Sequence, residues 1–197
     1  MIHYYTRLET QIKANWNLKA LCNYKGEHFT FGQVATQIAK FHLFFEKAGI
    51  QKGDKVAICA KNTARWGMAF FASGTYGTVT VPILVDFHPD SVNGLVHHSE
   101  STVLFTDDDV WAKLDITKMP TVKAVVSTQT YSLLYSATEE IKKVYDGLEA
   151  AFAEKFPKGF GPEHVSYPKD NLKALAIITY TSGSTGAPKG VLLRHEC

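Results

Sequence analysis

The spacing of apolar positions along the chain predicts strands alternating with helices. Val34, Ile38, Phe41, Phe45 and Ala48 recur at intervals of four, three, four and three, which is one continuous stripe on a helix. Thr30 and Gln33 precede the stripe with capping-box spacing, and Gly49 is placed to end the helix. Phe41, Phe44 and Phe45 are therefore core candidates rather than part of a cofactor box. Ahead of this helix, residues 20–24 and 28–31 flank a Lys25-Gly26-Glu27 corner and read as a hairpin. After it, residues 55–60 (KVAICA) form a short, β-branched and apolar run, the pattern of a buried strand in a parallel sheet.

From Trp66 to Val85 the chain carries no charge, a length that nominally spans a bilayer. Gly67, Gly74, Gly77 and Pro82 interrupt it, so it reads instead as a helix over 64–75 followed by a strand over 78–84, with Pro82 marking the strand's end or an edge. Pro89, Asp90 and Ser91 open a helix reaching to about 99, since proline suits a first turn and aspartate the positive helix end. Residues 102–106 and 122–127 supply further strands. Between 128 and 170 the rhythm breaks into a helical insertion, where Ile141, Val144, Tyr145, Leu148 and Phe152 predict one amphipathic helix over 139–156. That segment holds five acidic and three basic residues, so it is expected to dock on the protein's own surface rather than on an anionic membrane. Residues 158–168 read as a loop, and strands over 175–181 and 191–193 follow. The order implies an α/β fold: a mainly parallel β-sheet flanked by helices and joined by right-handed crossovers.

Composition narrows the classes of function. A chain of 197 residues with 45% hydrophobic residues can bury a core, which excludes a disordered tail. A net charge of +2 is too small for an electrostatic footprint on nucleic acid. Cys22, Cys59 and Cys197 are far apart and form no CxxC pair, so neither a disulfide framework nor a zinc knuckle is expected and a reducing compartment fits. The first residues lack the apolar core of a secretory signal, so the cytosol is the expected location and no transmembrane segment is expected.

The chemistry concentrates after the strand over 175–181. The sequence there is Tyr180-Thr181-Ser182-Gly183-Ser184-Thr185-Gly186-Ala187-Pro188-Lys189-Gly190. Its glycines allow close backbone approach, its hydroxyls donate hydrogen bonds, successive amides can form a nest, and Lys189 adds a compact positive charge. Such a loop suits a polyphosphate, at about 1.5–3 kcal/mol per charge-assisted contact. It is not a Walker loop, because Pro188 precedes Lys189, and neither GxSxG nor GxGxxG fits the chain.

These residues resemble the adenylate-forming, AMP-binding enzymes: acyl-CoA synthetases, luciferases and peptide-synthetase adenylation domains. YTSGSTGAPKGV matches the family signature, and His195 stands where the family has histidine after the following strand. AGIQKGDKVAICAKN, Gly77 with VTVPI, and HHSESTVLFTD look like the family's earlier landmarks, so the resemblance covers about residues 28–127 and 171–197. The surroundings of Trp66, Pro82 and Ser99 are most similar to long-chain fatty-acid CoA ligases. The resemblance implies that ATP and a carboxylate give an acyl-adenylate, which CoA then captures, with Mg²⁺ as cofactor. It implies phosphate contacts from Thr181, Ser182, Gly183, Ser184, Thr185, Gly186 and Lys189. For His195 it suggests the entrance of the acyl pocket, a helix-capping role being the alternative. Arg194, Glu196 and Cys197 depart from the residues common around His195, and Tyr76 stands where the family has a small residue.

In that family the chain continues past the signature through adenine-, magnesium- and acyl-binding motifs to a mobile C-terminal domain. The expectation is thus a partial N-terminal AMP-binding domain over 1–197, a fragment inactive alone, whose truncation exposes apolar surface for self-association into a homo-oligomer. The partners implied are small molecules: ATP, a fatty acid and CoA. The alternatives are a noncatalytic nucleotide- or protein-binding module of the same fold, or a ligase for an amino or aryl acid. Two further clusters stand apart. His97 and His98 with Glu100 suggest either a metal or packing, with adjacent helical histidines diverging by about 100°. Asp107, Asp108 and Asp109 suit either a magnesium site or the start of a short helix.

Overall fold

The computed structural model describes residues 3–169, 172–181 and 189–196. A first helix, α1 (Tyr4–Ala14), is followed by an antiparallel ribbon of β1 (Lys19–Cys22) and β2 (His28–Thr30). The predicted hairpin is present. The apolar stripe becomes α2 (Phe31–Lys47), and its capping box forms as read: the Thr30 hydroxyl accepts from Gln33 N at 3.2 Å while Gln33 Oε1 accepts from Thr30 N at 2.8 Å. Gly49 follows with φ +67°, the left-handed turn that ends the helix.

Strands β3 (Lys55–Cys59), β4 (Val79–Pro82), β5 (Ser101–Thr106), β6 (Ala124–Ser127), β7 (Leu133–Ser136), β8 (Leu175–Thr181) and β9 (Lys189–Arg194) form one sheet in the order β7-β6-β5-β3-β4-β8-β9. The run from β6 to β8 is parallel, and β7 and β9 pair antiparallel at the two edges. Helix α3 (Ala64–Tyr76) links β3 to β4, α4 (Pro89–His98) links β4 to β5, and the short α5 (Asp108–Trp111) follows β5. The uncharged stretch from Trp66 to Val85 is thus the helix and strand its glycines predicted. Among the described residues no helix is long and apolar enough to cross a membrane.

Period-two alternation builds two cores from one set of strands. Val56, Ile58, Val103, Phe105 and Val126 face α2 and α3, whereas Ala57, Cys59, Leu104 and Val125 face α4. Phe41, Phe44 and Phe45 are all fully buried on the first face. Tyr76 completes that layer: its ring lies 5.3 Å from Phe45, and its hydroxyl donates to the Ile50 carbonyl at 3.0 Å.

The insertion departs from expectation in two ways. The single helix predicted over 139–156 is two, α6 (Glu139–Asp146) and α7 (Leu148–Lys155), separated at Gly147, where the low helix propensity of glycine lets the chain restart. Both halves still dock on α2, burying Ile141, Leu148 and Phe152. The insertion also contributes β7, a half-buried edge strand whose four residues carry too short a signal to read beforehand. Helix α1 was likewise not foreseen, because only Tyr5, Glu9 and Ile12 on it are buried.

Candidate functional site

In an open α/β sheet, ligands bind beyond the carboxyl ends of the strands, where adjacent connections leave for opposite faces. Here that point lies between β3 and β4, since α3 covers one face and α4 the other. A cavity of about 380 Å³ opens there, walled by Lys61 and Asn62 after β3, Trp66 of α3, Leu84 and Asp86 after β4, and Thr179 of β8. Lys61, Asn62 and Trp66 fall in stretches the resemblance drew on, whereas Leu84, Asp86 and Thr179 were not singled out from the sequence. Lys61, Asn62, Leu84 and Asp86 share a position two to four residues past the end of a parallel strand, while Trp66 lies in α3 and Thr179 within β8.

Strand β8 borders this cavity. Ala176, Ile178 and Tyr180 are buried on one side of it. The Tyr180 hydroxyl hydrogen-bonds His98 Nδ1 at 2.8 Å, which fastens the strand to α4. His98 therefore packs, and among the described residues no group of three or more His, Cys, Asp or Glu side chains can hold a metal. Across the hairpin Thr181 pairs with Lys189 and Tyr180 with Gly190. A Cβ at Gly190 would lie 3.3 Å from Tyr180 Cε1 and 3.4 Å from Ile178 Cγ2, so the glycine admits the tyrosine ring across the strands.

Thr181 and Lys189 thus stand together, both exposed, at the carboxyl edge. Ser182, Gly183, Ser184, Thr185 and Gly186, the remaining expected phosphate contacts, lie outside the described residues. His195 is not brought to this edge. The antiparallel return of β9 carries it to the opposite end, where its amide donates to the Ala174 carbonyl at 3.2 Å. The β8 span of 7 residues separates the two ends by about 20 Å. There His195 neighbours His3 and Tyr5, with ring centroids 5.1 and 5.4 Å away, and burial and then His3 hold its pKa below the ordinary value.

Asp107 organises the carboxyl edge from beneath. It is 3% exposed, and its carboxylate accepts from Lys61 N at 3.0 Å and from the Thr128 hydroxyl. It is the residue before α5, as the helix-start reading expects, yet its side chain ties the connections after β3 and β6 together instead of capping its own helix. Asp109 faces Lys61 at 3.8 Å, with both side chains exposed. Cys59, at the end of β3, is fully buried, and its thiol is pushed up to about 12 by burial and then by Asp107, so it is no nucleophile.

Comparison with known proteins agrees with this geometry. The sequence pattern of the family described as AMP-binding enzyme matches residues 8–197. "Fatty acyl-CoA synthetase A" of Dictyostelium discoideum is 29% identical over 75% of this chain and 22% of its own length. "Long-chain-fatty-acid--CoA ligase" of Bacillus subtilis (strain 168) is 27% identical over 95% of this chain and 36% of its own. The chain spans 22% to 36% of the length of these two relatives. Among solved structures, the anthranilate CoA ligase AuaEII in complex with anthranoyl-AMP superposes with a TM-score of 0.76 at 18% identity, covering 100% of this chain and 34% of that one, a likeness of fold. With the family pattern running through nearly the whole sequence and the same fold underneath it, the chain belongs to the AMP-binding enzyme family.

Proposed function

We propose that this chain is the nucleotide-binding N-terminal part of an acyl-CoA ligase that activates a fatty acid with ATP and passes the acyl group to CoA. The observation that carries the reading is the Thr181–Lys189 pair closing a hairpin at the carboxyl edge, beside the switch-point cavity, within a chain that matches the AMP-binding enzyme pattern. The names of the two relatives, both long-chain or fatty acyl ligases, support a fatty acid as the substrate.

In this reading Lys189 offsets negative charge on the β- and γ-phosphates. Thr181 and the hydroxyls and amides of 182–186 hold them in line with the carboxylate attacking the α-phosphate, so that pyrophosphate leaves and the acyl-adenylate formed carries AMP as the leaving group for the thiol of CoA. The hydroxyl of Thr181 is a hard oxygen donor of the kind Mg²⁺ accepts. Bound there, Mg²⁺ would neutralise phosphate charge. His195, expected at the acyl entrance, lies at the far edge of the sheet and takes no part in this proposal.

Isothermal titration with ATP and Mg²⁺ tests the site. Lys189→Ala is expected to weaken binding about tenfold or more, the loss of one charge-assisted contact. Equal affinity in the variant would refute the assignment. In ATP–pyrophosphate exchange the 197 residues alone are expected to be blank with and without fatty acid, and acid-dependent exchange would show that adenylation needs nothing beyond them.

A further inference from the structure

At the amino edge of the sheet, at the opposite end of β8 from Thr181 and Lys189, lies a second cavity of about 520 Å³. Its polar lining consists of His3, Lys52, Lys55 and His195, with the hydroxyl of Tyr5, and among the described residues no carboxylate is in its walls. Val79, Leu175, Ala174 and Pro168 make the rest of it apolar. The nearby acids are engaged elsewhere. Glu9 is held by Lys13 at 2.6 Å, Lys169 at 3.0 Å and the Tyr167 amide at 3.2 Å. Glu196 pairs with Arg194 at 3.4 Å, Glu100 meets Lys55 at 3.4 Å from the solvent side, and Asp54 accepts from Gln51 N at 2.9 Å. Lys52 makes no ion pair with any described residue; its stem lies along Gly77.

We infer that this cavity binds a small organic oxyanion, a carboxylate or phosphate head between the two lysines and the two imidazoles with a short apolar body against Val79 and Leu175. Basic groups from the start of α1, the β3 entry and the end of β9 converge on one concave surface with no counter-ion inside it among the described residues, which raises the local anion concentration and favours a negative head. His195, its ring centroid 5.1 Å from that of His3, supplies a pH dependence. An anion between them favours the protonated form of His195, so by reciprocity binding strengthens as pH falls through that titration. This inference does not depend on the phosphate loop.

The test is a histidine Cε1–Hε1 correlation spectrum of the full chain, titrated with phenyl phosphate, benzoate and inorganic phosphate. Phenyl phosphate and benzoate are expected to move the His195 and His3 signals saturably and to raise the His195 pKa, with inorganic phosphate weaker than phenyl phosphate because it lacks the apolar body. Lys52→Gln and Lys55→Gln, made singly and checked for unchanged circular dichroism, should each weaken phenyl phosphate about fivefold or more, while Lys189→Ala leaves the titration unchanged. No saturable shift with either organic anion would overturn the inference. So would lysine variants that bind as well as the parent chain, or loss of the response in Lys189→Ala.

Discussion

Asp107 sits where the connections after β3, β5 and β6 meet, and replacing it separates the value of its hydrogen bonds from that of its bulk. One oxygen accepts from Lys61 N at 3.0 Å and the other from the hydroxyl of Thr128, which is 1% exposed. In Asp107→Ala both donors lose a charged acceptor, and at about 1.5–3 kcal/mol each, with partial rescue by water at the less buried Lys61 amide, the loss is about 3–5 kcal/mol. Asp107→Asn has nearly the same volume. Its carbonyl can take the Lys61 amide, and its NH₂ can donate to Thr128 once that hydroxyl rotates to accept, so both bonds survive as neutral ones and the cost falls to about 1–2 kcal/mol. Urea unfolding followed by tryptophan fluorescence measures both values, because Trp111 on α5 and Trp66 on α3 flank the edge. If asparagine costs as much as alanine, or alanine costs less than about 1 kcal/mol, then the carboxylate is not what holds these connections.

Two further measurements probe the layer beneath the site. Phe45 is 0% exposed and lies 5.3 Å from Tyr76 and 6.4 Å from Phe105, so Phe45→Ala should leave a cavity costing about 3–5 kcal/mol, a fall in Tm of roughly 6–20 °C by calorimetry. His42 sits with Nε2 3.1 Å from the Ala72 carbonyl and 3.0 Å from Thr75 Oγ1, and burial pushes its pKa down to about 4. The unfolded chain keeps the ordinary value near 6.5 and so binds the extra proton first. The stability held above that value is therefore lost as pH falls toward 4, by about 2–3 kcal/mol, and changes little from this cause at higher pH. His42→Gln should remove this component from urea midpoints compared at pH values on either side of the window, and an unchanged slope would refute the burial argument.

The order and type of the central elements were legible because each is specified by local chemistry. Thr30 and Gln33 can form a capping box only around the start of α2, and KVAICA, apolar at every alternate position on both sides, can only be a strand covered twice. The composition after β8, a run of glycines, hydroxyls and one lysine contiguous in sequence, could be read in the same way, and its phosphate role is the proposal made above. What the sequence did not disclose is whatever depends on residues distant in the chain. Gly147 splits a helix that periodicity alone would continue, and β7 exists because β6 offers it an edge. Asp107 looked like one of three similar acids until the fold buried it against Lys61 and Thr128. His195, for which the resemblance suggested the acyl entrance or a helix cap, is carried by the antiparallel return of β9 to the edge opposite Thr181 and Lys189, beside His3. Local composition determined which segments form and which chemistry they carry. Strand direction and order, set by burial of both sheet faces at once, decided which of those groups share a site.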